Sequence, residues 1–182
     1  VKFPDLAVAR DRYLSGFLAP AGFPDLILSG GTQAKIKINH QQLEQLEVKL
    51  DDINVIDNKA RFTFAGLNGD VRWTQLADSV QSGFTWNNGA MYGIGLDSAK
   101  FVFNSANGSL NLAQAVPVKA LEGIIRVDHF RWQPPKGDLG TRFELGMSMD
   151  KLDMASLSQR LGWPAFTGSI SGKIPNARYK DN

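Results

Sequence analysis

The sequence has no cysteine and only two histidines in 182 residues. The first absence removes disulfide scaffolds, thiolate zinc sites and thiol chemistry, while leaving cytosol and periplasm equally open. The second leaves His40 and His129 as the only imidazoles, too few for a His-rich metal site. No apolar run approaches the roughly 18 residues that suggest a membrane span. No stretch has the basic, apolar and small-residue anatomy of a signal peptide. Neither charge is in excess: 20 Lys+Arg face 18 Asp+Glu, a net charge of +2. Nucleic acid is therefore not an expected partner, despite a pI near 8.9.

What is present is apolar and punctuated. At 43% hydrophobic and 21% charged, the chain can build a sizeable core as a single unit. Eighteen Gly and eight Pro supply turn signals throughout. The chain opens on Val1 and stops at Tyr179-Lys180-Asp181-Asn182 just after a strand-like pattern. That reads as an excised segment, with any export signal or anchor outside it.

Leu6, Ala9, Tyr13, Leu14, Phe17 and Leu18 recur at three- and four-residue spacings, which predicts an amphipathic helix over 5–18. From Leu26 the period becomes two. Ile36 and Ile38 alternate with lysines, and a polar helical turn is expected over 39–45. Leu46, Val48 and Leu50 follow, then Phe62 and Phe64, Val71 and Trp73, Phe84 and Trp86, Phe101 and Phe103, Leu110 and Leu112. Ile125 and Val127 lead to Phe130 and Trp132 before the breaker Pro134-Pro135-Lys136-Gly137-Asp138. Phe143, Leu145, Met147 and Met149 make another strand, completing a β-rich stretch over 26–149. A second helix is predicted over 153–162, with Asp153 as N-cap and Gly162 ending it. A last strand occupies 166–179. Short alternating strands with about two helices give a mainly β expectation: one curved antiparallel sheet forming an open groove. A weak internal repeat, an apolar residue, then a polar one, then Gly and an alternating strand, recurs at Gly69, Gly123 and Gly168. Such glycines let a strand bend.

These patterns carry a resemblance. Leu46-Glu47-Val48-Lys49-Leu50, Ile53-Asn54-Val55-Ile56-Asp57 and the stretch Arg61 to Trp73 resemble the AsmA-like superfamily. Gly123 to Pro135, Leu152 to Leu157 and Trp163 to Pro175 resemble, within it, the YdbH-like domain, also catalogued as "dicarboxylate transport". The resemblance spans most of residues 26–179. It implies a periplasmic segment of an inner-membrane-anchored protein of Gram-negative bacteria. Such a protein bridges toward the outer membrane for phospholipid transport and is paired with a small outer-membrane lipoprotein. It implies no catalytic residue and no cofactor.

The chemistry visible in the residues agrees. Asp128 beside His129 suggests an oriented imidazole, but no Gly-x-Ser-x-Gly elbow supplies a nucleophile. Asp51, Asp52 and Asp57 match no calcium loop. Met91-Tyr92-Gly93-Ile94-Gly95 lacks the third glycine and the helix of a phosphate cradle. An enzyme is not expected. The apolar face is the candidate site: Ile36, Ile38, Val48, Leu50, Phe62, Phe64, Phe143, Leu145 and Met147 are expected to contact phospholipid acyl chains. Each methylene leaving water contributes about 0.8 kcal/mol, so a chain of about 16 carbons is strongly retained by an apolar groove. The helices would cover part of that face. Two other readings stand beside this one. One is a β-sandwich carbohydrate-recognition module stacking Trp73, Trp86 or Trp132 on sugars. The other is a purely structural spacer. Open sheet edges also predict edge-to-edge association of the segment.

Overall fold

A computed structural model describes residues 2–3, 6, 25–134 and 140–180. Among the described residues eleven strands form one antiparallel sheet. They are β1 (Lys2–Phe3), β2 (Leu26–Asn39), β3 (Gln42–Asp57), β4 (Phe62–Thr74), β5 (Val80–Met91), β6 (Ile94–Ala106), β7 (Ser109–Leu112), β8 (Val116–Ala120), β9 (Gly123–Gln133), β10 (Arg142–Asp153) and β11 (Ser169–Lys180). The spatial order follows the chain from β1 to β7, then β9, β10 and β11. β7 and β8 lie end to end along the same side of β9. The sheet is an up-and-down meander that does not close into a barrel. The expected single antiparallel sheet is what forms, and no second sheet exists among the described residues.

The hairpins are tight because their turn residues accept left-handed backbone. His40-Gln41, Tyr92-Gly93, Asn107-Gly108 and Leu121-Glu122 all have positive φ at both positions. Two consecutive left-handed residues match the right-handed twist of the strands they join. The first of these turns corrects the helical turn expected over 39–45. Leu43 and Leu46, three apart, imitate a helical stripe. Both in fact pack on one side of the sheet, because the register slips between Lys37–Gln45 and Ile38–Leu43, leaving Glu44 bulged between them.

The second helix forms as expected. α1 (Met154–Leu161) begins at Asp153, whose carboxylate accepts from the Ser156 N–H at 2.7 Å, and ends at Gly162 in the left-handed region. The helix predicted over 5–18 lies outside the described residues except for Leu6.

Bulges change which parity faces inward. On β3 the inward set passes from Leu46, Val48 and Leu50 to Ile53 and Val55, across Asp52 at φ 49°. On β4 it passes from Phe62 and Phe64 to Leu67, Val71 and Trp73, across Gly66 at φ 66°. β5 follows, from Phe84 and Trp86 to Gly89 and Met91. Each extra residue increases local twist and bends its strand. The result is strong curl. The Trp73 indole on β4 donates to the Gly108 carbonyl beyond β6 at 3.0 Å. A flat sheet would hold β4 and β7 roughly 14 Å apart, three strand spacings.

Candidate functional site

Register settles which side chains share the inner face. Ile36 lies opposite Leu46, which lies opposite Trp73; Val48 lies opposite Val71; Val55 lies opposite Phe64. Phe143 lies opposite Trp132 and Tyr179, Leu145 opposite Phe130 and Ala177, and Met147 opposite Val127 and Ile174. All nine sequence-predicted residues therefore belong to one continuous apolar face running from β2 to β11.

Across its middle the face packs on itself. Phe64 meets Trp86 edge-on with centroids 5.1 Å apart; Trp86 stacks on Phe101 at 5.2 Å. Phe101 stacks on Phe103, Phe103 meets Phe130 edge-on at 5.9 Å, and Phe130 meets Phe143 at 5.5 Å. The aromatic series spans β4 to β10 and links Phe64 to Phe143. Edge-on and offset contacts of this kind add about 0.5–1.5 kcal/mol each beyond area burial. Three buried clusters follow the curl. Leu26, Leu28 and Ile53 pack with Leu6 at one end; Trp86, Ala99, Val116 and Val118 form the second; Trp73, Phe103 and Leu110 form the third. Leu6 thus packs on the apolar face at that end. Trp73, Trp86 and Trp132 share this face with Phe62 and Phe143, whereas the sugar-stacking reading needs them on the polar side.

Toward both edges the same face is open. Ile36 and Ile38 on β2 are 59% and 66% exposed. On β11, Ile170, Ile174 and Tyr179 are 41%, 42% and 56% exposed, and every residue of that strand is exposed. Trp163 and Phe166, in the connection from α1 to β11, are exposed as well. The other seven predicted residues are half-buried, with side chains reachable from the face rather than sealed. The β11 residues were not among those predicted, although their alternation at 170, 172 and 174 is legible. What the pattern lacked was any sign that nothing covers them.

The polar candidates resolve differently. Asp57 is buried and clamped by Arg61, with Nε and Nη2 donating to its two oxygens at 2.7 and 2.8 Å. The guanidinium hydrogen bonds hold the Asp57 carboxyl down at about 2, against an ordinary value of 3.8. Asp57 is a structural lock on the β3–β4 turn. Among the described residues no group of three His, Asp or Glu converges as metal ligands. Asp128 accepts from the Ser148 hydroxyl at 3.2 Å, and its second oxygen has no partner. The imidazole of His129 lies against Gly146, where an added Cβ would come within 2.3 Å of it.

No family model, curated protein or solved structure matches this chain. No described helix is long and apolar enough to cross a membrane.

Proposed function

We propose that this chain is an acyl-chain-bearing segment of a YdbH-like, AsmA-type periplasmic bridge for phospholipid. It offers an open apolar trough rather than a reactive centre. The observation that carries this reading is the continuity of the apolar face: it crosses every long strand and stays exposed at both sheet edges. A monomeric protein seldom leaves rows of apolar side chains facing water at both ends of such a face unless something apolar lies on them. Transport along such a face needs many interchangeable Ile, Val, Leu and Phe side chains and no unique residue. Each step keeps the chain shielded, so a barrier of about 0.8 kcal/mol per methylene is not met at once. Ile36, Ile38, Val48, Leu50, Phe62, Phe64, Phe143, Leu145 and Met147 would contact acyl chains, with Ile170 and Ile174 continuing the path. In this reading the protein is anchored in the inner membrane by a segment elsewhere in the full protein and engages a small outer-membrane lipoprotein.

The test is photo-crosslinking to phospholipid in cells. A photoreactive residue replaces Ile36, Leu145 or Ile174 on the inner face, with Lys49 and Lys100 as outward controls. Ile36 and Ile174 are exposed, so their replacement leaves the fold intact. Lipid adducts confined to the inner positions are expected. Equal labelling of both faces, or none in folded protein, overturns the proposal in favour of a spacer.

A further inference from the structure

The polar face of the sheet has a feature of its own at the far tip of β9, β10 and β11. Gln133, Arg142 and Lys180 lie abreast on the three strands, and Arg131, Glu144 and Arg178 lie abreast two residues further in. Alternation puts all six on the outer side, opposite the side chains of Phe143 and Tyr179. Together these residues line a recess of about 200 Å³.

Its charge is unbalanced. Among the described residues, four cations share the recess with a single carboxylate, Glu144, which pairs with Arg178 at 3.7 Å. With its amide oxygen facing Arg178, Asn176 also accepts from Nε and Nη2 at 2.9 Å each. Arg131 and Gln133 are oriented from below, both donating to the Ser109 hydroxyl, at 3.4 and 2.8 Å. Arg142 and Lys180 are direct cross-strand neighbours. Among the described residues neither has an ion-pair partner. Like charges directly opposed on antiparallel strands destabilise the pair. Nothing in the packing of an exposed sheet tip requires that opposition, since a carboxylate at either position would pair with the other. An anion seated between them offsets the repulsion.

We propose that this recess binds a phosphoryl group. Its cations arrive from three strands around one concavity, so a tetrahedral oxyanion can offer a separate oxygen to Arg131, Arg142 and Lys180. A planar carboxylate serves two such donors well and the third poorly. The guanidinium groups supply the planar donor fork that suits phosphate oxygens, and Lys180 adds a point charge. The source is either a soluble phosphate monoester or the headgroup of a phospholipid. This site is on the face opposite the trough and does not depend on acyl-chain binding there.

The experiment measures the unfolding midpoint of the purified chain at pH 7.5, in phosphate and in chloride of equal ionic strength. Wild type, Arg142→Gln, Lys180→Gln and the double variant are compared. Phosphate is expected to raise the wild-type midpoint with saturation. In chloride the double variant should be at least as stable as wild type, because the opposed charges are gone, yet it should bind phosphate roughly tenfold more weakly or worse. Glycerol 3-phosphate and vesicles of phosphatidic acid in phosphatidylcholine separate the sources. Binding of the first alone indicates a soluble ester; vesicle binding that the first competes away indicates a headgroup. The proposal is overturned by a phosphate effect no larger than that of chloride, by an undiminished effect in the double variant, or by succinate acting as well as phosphate. None of these outcomes bears on the crosslinking test of the trough.

Discussion

The middle of the sheet and its β10–β11 end are written in the same alternating pattern and meet opposite fates. On β4 to β7 the inward residues Trp73, Phe103 and Leu110 are 2%, 6% and 6% exposed. On β11 the inward residues Ile170, Ile174 and Tyr179 face water. Both regions have apolar residues at every second position. The difference lies in their neighbours. The middle strands have partners on both sides and are curled by bulges until side chains three strands apart touch. The edge strand β11 has a neighbour only in β10, and no curl folds the sheet back over it. Alternation fixes the face of a residue; coverage depends on what comes back across that face.

The largest effect should separate the two regions most sharply. Trp73→Ala removes a buried indole together with its hydrogen bond to Gly108 and should cost about 3–5 kcal/mol, whereas Ile174→Ala should cost well under about 1 kcal/mol. Urea unfolding of the two variants measures both. Comparable losses would mean that the edge is as well packed as the middle.

Glycines make the same contrast. Gly69 has φ 132°, and a Cβ there would stand 2.2 Å from the Gly83 carbonyl oxygen. Gly69→Ala should destabilise by about 2–4 kcal/mol. Gly172, on β11, has ordinary backbone and only the Met149 methyl at 3.5 Å. Gly172→Ala should be neutral or stabilise by up to about 1 kcal/mol, by restricting the unfolded chain. The same denaturation series reads both changes.

Acid should loosen the molecule at the two carboxylates that its turns and caps employ. Asp57 titrates at about 2 in the fold and near 3.8 when unfolded. A folded value below the unfolded one means that its stabilisation is complete above pH 4 and is lost as the pH falls from about 4 to 2. Asp57→Asn should lower stability at pH 7 and flatten the acid limb over that window. Asp153, lowered by hydrogen bonds from the Ser156 N–H and hydroxyl, has the same sign at the start of α1. Asp153→Ala should produce a smaller loss, confined to the β10–α1–β11 end. Hydrogen exchange across pH 2–5 localises each effect, and a global response to Asp153→Ala would show the edge unit and the middle to be one cooperative block.

Much of this was legible beforehand. Alternation located the strands, Asp153 and Gly162 delimited α1, and the nine predicted residues do share a face. The helical turn expected over 39–45 is instead a hairpin turn at His40-Gln41 and the start of β3, because the pairing of β3 with β2 extends to Gln42. The Asp57–Arg61 clamp spans one turn and leaves no periodic trace, so the pairing was not legible in the sequence. Ser105 is fully buried and accepts from the Thr74 N–H at 2.9 Å, a contact between residues 31 apart that no local pattern announces. The cross-strand meeting of Arg142 with Lys180 was hidden for the same reason.

The sequence by itself determined the strands, their apolar and polar sides and the capped helix, because backbone periodicity and capping act within a few residues. Only the tertiary structure decided how the bulges pass the inward parity along each strand, which stretch of the apolar side is buried and which cations converge. Those outcomes depend on register and curl, and both are set by partners distant in the chain.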